Sequence, residues 1–238
     1  MKEYYRILLD GIPGGITVTE VIRGPAWTGA ELSDGSFGIA MSTPGSCIPR
    51  THKTLTGMEA RAAAEAVMSW NMEEASEAMA VINAFYNSEG RMRELGCEAD
   101  YERLCTAGYE TEGRVFGFIG HLRVPEETVK GAKAVYIMER RSIEGDYPDS
   151  ACEYLLPQCD IVLITGSASV NKTMPRLLEL SANAKTVLIG PTVPMCPALL
   201  GHGVDRLSGM VVKDKEEFKL WMTENAASPY PLGYTFMI

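Results

Sequence analysis

The chain has 238 residues, enough for one large domain or two modest ones, and its 46% apolar and 22% charged composition is ordinary for a soluble globular protein. A net charge of -9 argues against nucleic acid as a partner, since phosphate binding needs concentrated Lys and Arg. No run approaches the ~18 apolar residues of a membrane span, so no membrane partner is expected.

Lys2 to Leu9 suits a short helix, stopped by Gly11, Pro13 and the Gly14-Gly15 pair. With Arg6 and Asp10 around so short an apolar stretch, this terminus does not read as a signal peptide. Ile16 to Arg23 alternates and is rich in Val, Ile and Thr, as a strand is, and Gly24-Pro25 breaks it. Trp27 to Leu32 and Ser36 to Met41 are two further strands about a Ser33-Asp34-Gly35 turn, completing an antiparallel meander. Thr56-Gly57-Met58-Glu59 has the form of a capping box and predicts an Ala-rich helix reaching Trp70. Asn71 then caps a second helix, on which Ala75, Ala78, Met79, Ile82, Phe85 and Tyr86 define one buried stripe. Arg91 to Thr106 reads as a weaker helix or irregular chain.

Past a Gly- and Glu-bearing boundary at Thr106 to Gly113 the rhythm changes to alternating strands and helices. Strands are expected at 114–119, 133–138, 159–165 and 185–190, with a short one near 209–212. Helices are expected near 125–131, 149–156, 172–182 and 214–226. Such alternation makes an α/β fold with a doubly wound parallel sheet. The domains expected are therefore a small α+β unit over 1–110 and a Rossmann-like unit over 111–238.

Sheets of this kind bind ligands outside the carboxyl ends of their strands, which singles out residues there. Gly120-His121 ends the first strand; the imidazole can shuttle a proton or hold an anion, or be a surface histidine after a tight turn. Glu139 closes the second, either as an acceptor for ligand hydroxyls or as a solvated acid beside Arg140 and Arg141. Thr165-Gly166-Ser167 with Asn171 can hold a carboxylate or phosphate, or simply cap the helix that follows. Gly190-Pro191-Thr192-Val193-Pro194 is a stiff loop suited to shaping a pocket or to turning the chain. In the first half, Gly24, Trp27 and Thr28 cluster at a strand break, where Trp27 is either core or a stacking wall. Asn83 lies within the apolar helix stripe, reaching a pocket or bonding a loop carbonyl. The two halves are expected to share one pocket, with Gly24–Thr28 and Asn83 facing Gly166 and Gly190.

No cofactor is indicated. The G-x-G-x-x-G spacing of a nicotinamide site and the G-x-S-x-G elbow of a serine hydrolase are both absent. Cys47, Cys97, Cys105, Cys152, Cys159 and Cys196 form no C-x-x-C pair, so free thiols in a reducing cytoplasm are expected. His52, His121 and His202 stand apart, and spacing supports no preformed metal site, although ligands can converge from distant loops. Any metal bound without a chelator is expected to be held weakly.

Taken in order, Ile82-Asn83-Ala84, Phe116-Gly117-Phe118-Ile119-Gly120-His121, Glu139, Gly145-Asp146-Tyr147-Pro148 and Asp160 through Ser167 resemble the heavy-metal-chelation domain family, also called domain of unknown function 364. Val170-Asn171, Leu188-Ile189-Gly190-Pro191 and Pro197 through Gly209 continue the match over nearly the whole chain. The resemblance implies an enolase amino-terminal-like domain, a Rossmann-like domain and a pocket between them. It further implies heavy-metal chelation and the condensation or hydrolysis of pterin-, flavin- or siderophore-like molecules. One departure is Thr192-Val193-Pro194, where the family usually has Ser-Thr-Pro, so one hydroxyl is lost. The leading expectation is an enzyme with His121 and Glu139 as catalytic groups, acting on a small-molecule ligand that chelates metal. A non-catalytic carrier of a chelator or metal complex is the first alternative. An S-adenosylmethionine-dependent methyltransferase is the second, although His121-Leu122-Arg123 replaces the usual Gly-rich run. A homodimer is left open.

Overall fold

A computed structural model describes residues 2–44, 47–97, 99, 108–122 and 126–238. Helix α1, Lys2–Asp10, buries Tyr4, Tyr5 and Leu8 on one face and exposes Glu3 and Arg6 on the other, the pattern of a helix on a core. The meander follows as β1 (Val18–Arg23), β2 (Trp27–Leu32) and β3 (Phe37–Met41), antiparallel throughout.

The capping box does not form. Gly57 has φ 84°, a left-handed conformation that cannot lie in a first helical turn, so α2 begins only at Ala60 and spans Ala60–Ala64. Glu59 occupies the cap position without a side-chain cap bond, and its carboxylate accepts the Gly15 N–H at 3.1 Å instead. A tighter turn over Glu65–Met68 completes the segment. Asn71 does cap α3, Met72–Tyr86, its side chain accepting the Glu74 N–H at 2.9 Å. The stripe predicted for α3 is buried, but so is every residue from Glu74 to Tyr86. The helix packs on β2 and β3 and also on α6 (Ser167–Val170), so no face is left for water. A short α4, Glu89–Glu94, is capped by Ser88; most of the segment expected to continue it lies outside the described residues.

The second half builds a seven-stranded sheet from β4 (Val115–Ile119), β5 (Ala134–Glu139), β6 (Tyr147–Pro148), β7 (Ile161–Thr165), β8 (Lys185–Ile189), β9 (Arg206–Val212) and β10 (Gly233–Met237). Their order is β10-β9-β8-β7-β4-β5-β6. All neighbours run parallel except β9 and β10, so the sheet is mostly rather than wholly parallel. The expected helices are shorter and interrupted: a single turn at Glu126–Val129, α5 at Cys152–Leu155 between two tighter turns, and α6 followed by α7, Met174–Leu180. The last, α8 (Lys215–Glu224), is capped by Asp214, whose carboxylate accepts two N–H groups. It packs on β1 and β2: Phe218 and Met222 join Trp27, Phe37, Ile39 and Met210 in one apolar cluster. Chain from both ends thus shares one core. Among the described residues, no helix is long and apolar enough to cross a membrane.

Candidate functional site

From β4 the chain crosses to β5 on one side of the sheet and later returns to β7 on the other. At such a reversal the loops leaving neighbouring strands part, and a crevice opens beyond their carboxyl ends. Here it is a cleft of about 560 Å³. Its floor is made by Ile119, Gly120, Met138 and Glu139 at the ends of β4 and β5, with Thr165 and Ser167 after β7. Asn171, Thr173, Arg176 and Leu177 line one wall, and Arg140, Arg141, Asp149, Cys152 and Glu153 another. The amino-terminal half contributes Met41, Ser42, Thr43 and Pro44, where the chain leaves β3.

Gly120 has φ 94°, and a Cβ there would stand 3.0 Å from Thr165 Cγ2, so the close approach of the two strand ends requires glycine. Thr165 Oγ1 and Ser167 Oγ lie 3.2 Å apart, and Asn171 Oδ1 accepts both the N–H (3.1 Å) and the hydroxyl (2.6 Å) of Thr173. Glu139 is engaged on both carboxylate oxygens. Oε1 accepts the N–H groups of Arg140 (2.7 Å) and Arg141 (3.2 Å), and Oε2 accepts that of His121 (2.9 Å). His121 follows directly on Gly120 at the edge of the cleft, outside its lining, with its ring Nδ1 3.4 Å from Asp146 Oδ2.

Most other donors in the cleft are committed to protein partners. Glu153 holds Arg176 through two bonds, at 3.0 and 2.6 Å, and Glu179 takes a third at 2.9 Å. This pairing lowers the Glu153 pKa and raises that of Arg176. Asp149 stands 3.5 Å from Arg140. Burial, aided by the Asp149 charge, pushes the Cys152 thiol up to about 11, so it is protonated near neutral pH. Among the described residues, no group of three or more His, Cys, Asp or Glu side chains is placed to hold an ion. The cleft as built does not suit a resident metal held by side chains alone. Beside Asn171, Lys172 has φ 70°, and burial pulls its amine down to about 8, the ammonium donating to Val170 O at 2.7 Å.

Of the residues singled out from sequence, the cleft gathers Gly120, Glu139, Thr165, Ser167 and Asn171, with His121 at its rim. The others lie behind its walls. Trp27 is no stacking wall: it is 4% exposed in the apolar cluster, with Nε1 donating to Ala227 O at 3.0 Å. A Cβ on Gly24 would fall 1.9 Å from Met222 O, so that glycine admits α8 rather than a ligand. Neither Gly24 nor Trp27 faces Gly166 or Gly190. Thr28 bonds Ser42, and Thr192 Oγ1 accepts the Met41 N–H at 2.9 Å; both steady the rim they do not reach. Asn83 is fully buried and donates to Ile39 O and Thr192 O, tying the meander to the loop that follows Gly190 and Pro191. Gly166 lets that loop come close, since its Cβ would meet Val193 N at 2.5 Å. Val193, at the position where the family usually has threonine, is fully buried. Residues missed in sequence include Ser42, Thr43 and Arg176, and Asp146 is noted there only within a family motif. Arg140 and Arg141 were flagged only as partners of Glu139, although their position directly after it at a strand end was the available signal.

Residues 107–229 match the family model DUF364, described as "Putative heavy-metal chelation", and residues 5–86 match DUF4213, which carries the same description. A crystal structure of a DUF364-family protein of unknown function from Desulfitobacterium hafniense DCB-2 superimposes with a TM-score of 0.89 at 34% identity, covering 100% of this chain and 98% of that one. Another, from Pyrococcus horikoshii, gives 0.75 at 22% identity, with 100% and 97% covered, and shares the fold. An uncharacterized protein of Methanocaldococcus jannaschii is 30% identical over 93 residues, 37% of this chain and 36% of that protein, so the match spans about a third of that relative's length. The chain belongs to the DUF364 heavy-metal-chelation family, with a DUF4213 region leading it.

Proposed function

We propose that this protein binds a small metal-chelating molecule, of pterin-, flavin- or siderophore-like character, in the cleft between its two halves and acts on it by condensation or hydrolysis. The cleft at the sheet's switch point carries this reading: its volume of about 560 Å³ suits a drug-sized ligand, and polar side chains line it beside apolar ones. Thr165, Ser167 and Asn171 supply neutral donors and acceptors for a polar ring or chain. Arg140 and Arg141 bring positive charge for carboxylate or phenolate groups. His121 and Glu139 are the catalytic candidates, His121 for proton transfer and Glu139 through the backbone it organises. Metal enters as cargo with its chelator, in keeping with the family description and with cleft donors already committed to protein partners. The methyltransferase alternative is weakened by the loop after β4, where His121 and Leu122 stand in place of a Gly-rich run.

The test is native mass spectrometry with elemental analysis on freshly purified protein, followed by calorimetric titration with a pterin, a flavin and a catecholate, each with and without iron. Retention or micromolar binding that is lost in Asn171→Ala supports the reading. No binding by any probe, or equal binding by Asn171→Ala, would sink it. Binding without turnover would make the protein a carrier.

A further inference from the structure

The end of β5 and the loop after it bring two carboxylates to His121, one bonded to its backbone and one beside its ring. Glu139 Oε2 accepts the His121 N–H at 2.9 Å, and Asp146 Oδ2 stands 3.4 Å from ring Nδ1. The Asp146 side chain is 2% exposed, whereas that of His121 is 40% exposed. Asp146 is itself held in place: Oδ2 accepts the Ile143 N–H at 3.0 Å, its own N–H donates to Ile143 O at 3.0 Å, and Gly145 before it has φ 96°. A rigid turn therefore delivers a sheltered carboxylate to one nitrogen of an accessible imidazole. Nε2 has no partner among the described residues.

We propose that Asp146 is a positioning residue whose carboxylate fixes His121 in the tautomer protonated on Nδ1, so that Nε2 offers its lone pair as the proton acceptor at the cleft rim. Which ring nitrogen carries the proton is set by the partner of the other, and a carboxylate on Nδ1 favours the proton there. The purpose of the arrangement rests on the chelator reading above, but its geometry does not. Chelating oxygens bind metal deprotonated, so loading a chelator releases protons. At the rim, an O–H proton of the ligand passes to Nε2, and the electron pair of that bond stays on the ligand oxygen as a donor pair for metal. The resulting imidazolium is offset by Asp146.

The competing account makes Asp146 only a turn residue serving the Ile143 N–H. Asp146→Ala separates the two, because it takes the acceptor away from Nδ1, while Asp146→Asn is the control that keeps one oxygen for both the Ile143 N–H and Nδ1. The measurement is nitrogen NMR of the full chain labelled with ¹⁵N-histidine, at a pH where imidazole is neutral, with His121→Gln identifying the resonance. In the parent, His121 should show a protonated-type shift at Nδ1 and an unprotonated-type shift at Nε2. In Asp146→Ala the ring should move toward the opposite tautomer, whereas Asp146→Asn should keep that of the parent. A parent spectrum with the proton on Nε2 would overturn the proposal, as would an unchanged tautomer in Asp146→Ala. Should that variant fail to fold, the parent spectrum decides alone. No ligand is involved, so a cleft that proved to bind nothing would leave this result standing.

Discussion

At the scale of single residues, His121 and Val162 make opposite demands on the fold. His121 is exposed beyond the apolar part of β4, so His121→Ala opens no core cavity and should change stability by only ~0.5 kcal/mol. Loss of a charge-assisted bond to the ligand should cost ~1.5–3 kcal/mol of binding free energy. Val162 is fully buried in the middle of β7, and Val162→Ala should destabilise by about 2 kcal/mol while the folded fraction binds normally. Denaturant melts beside calorimetric titrations check both; an unfolded His121→Ala would make the histidine structural. Gly120, Thr165 and Ser167, singled out in sequence, line the cleft, and they follow from one rule: small residues at the ends of buried parallel strands face the crevice. Asn83, Thr28 and Thr192 carry the same polar chemistry, yet bond the protein itself. Nothing in a single sequence separates a polar side chain that meets a ligand from one that meets a distant carbonyl.

At the scale of elements, the amino-terminal half of α3 clamps the segment that continues from the cleft rim. Thr43 N–H donates to Ser76 Oγ at 3.0 Å, and Arg50 grips the fully buried Glu77 through bonds of 2.7 and 2.6 Å, with Arg23 on the same carboxylate. Glu77→Ala removes charge-assisted bonds to both arginines and should cost about 1.5–3 kcal/mol, measurable by urea denaturation. Glu74, one turn earlier, is equally buried. Burial pushes its carboxyl up, but bonds from the Ser69 hydroxyl, the Thr51 and His52 N–H groups and the His52 ring outweigh that and hold it down at about 2. A carboxyl lowered by folding contributes stability above its unfolded pKa of 4.5, and that contribution fades as pH falls toward about 2. The stability gap between parent and Glu74→Gln should therefore be full above about pH 5 and narrow on acidification. A gap that stays constant down to low pH would contradict the assignment. These clamps escaped sequence reading because Glu73, Glu74 and Glu77 look like the solvated acids of a helix start. Elements were legible where one rule dominated. Strands β4, β7 and β8 are short apolar runs ending at small residues, whereas the Thr56–Glu59 box lost to the left-handed Gly57, and β10 was hidden between prolines and the end of the chain.

At the scale of the whole molecule, a strand meander followed by helices and then an alternating strand–helix rhythm predict two domains, and buried bonds cross between these two halves. Asn87, at the end of α3, donates to Val193 O (2.8 Å) and Met210 O (3.2 Å) and accepts the Met195 N–H (2.8 Å). Asn83 makes a similar bridge one turn earlier, and α8 fills the outer face of the meander with Phe218 and Met222. Long-range packing of this kind leaves no trace in local periodicity, which is why a boundary near residue 110 is visible in sequence while the shared core is not. Cut there, the amino-terminal half would expose one side of a helix buried all round and one side of its sheet. The expectation is that the full chain melts in a single calorimetric transition, with calorimetric and van't Hoff enthalpies equal. Asn87→Ala should lower the stability of that one transition by about 3 kcal/mol, because it strands two carbonyls and an N–H in the interior. Two resolved transitions in the parent, or a residue 1–110 fragment that folds alone with native-like helix content, would show that the halves are autonomous and that these buried amides merely join them.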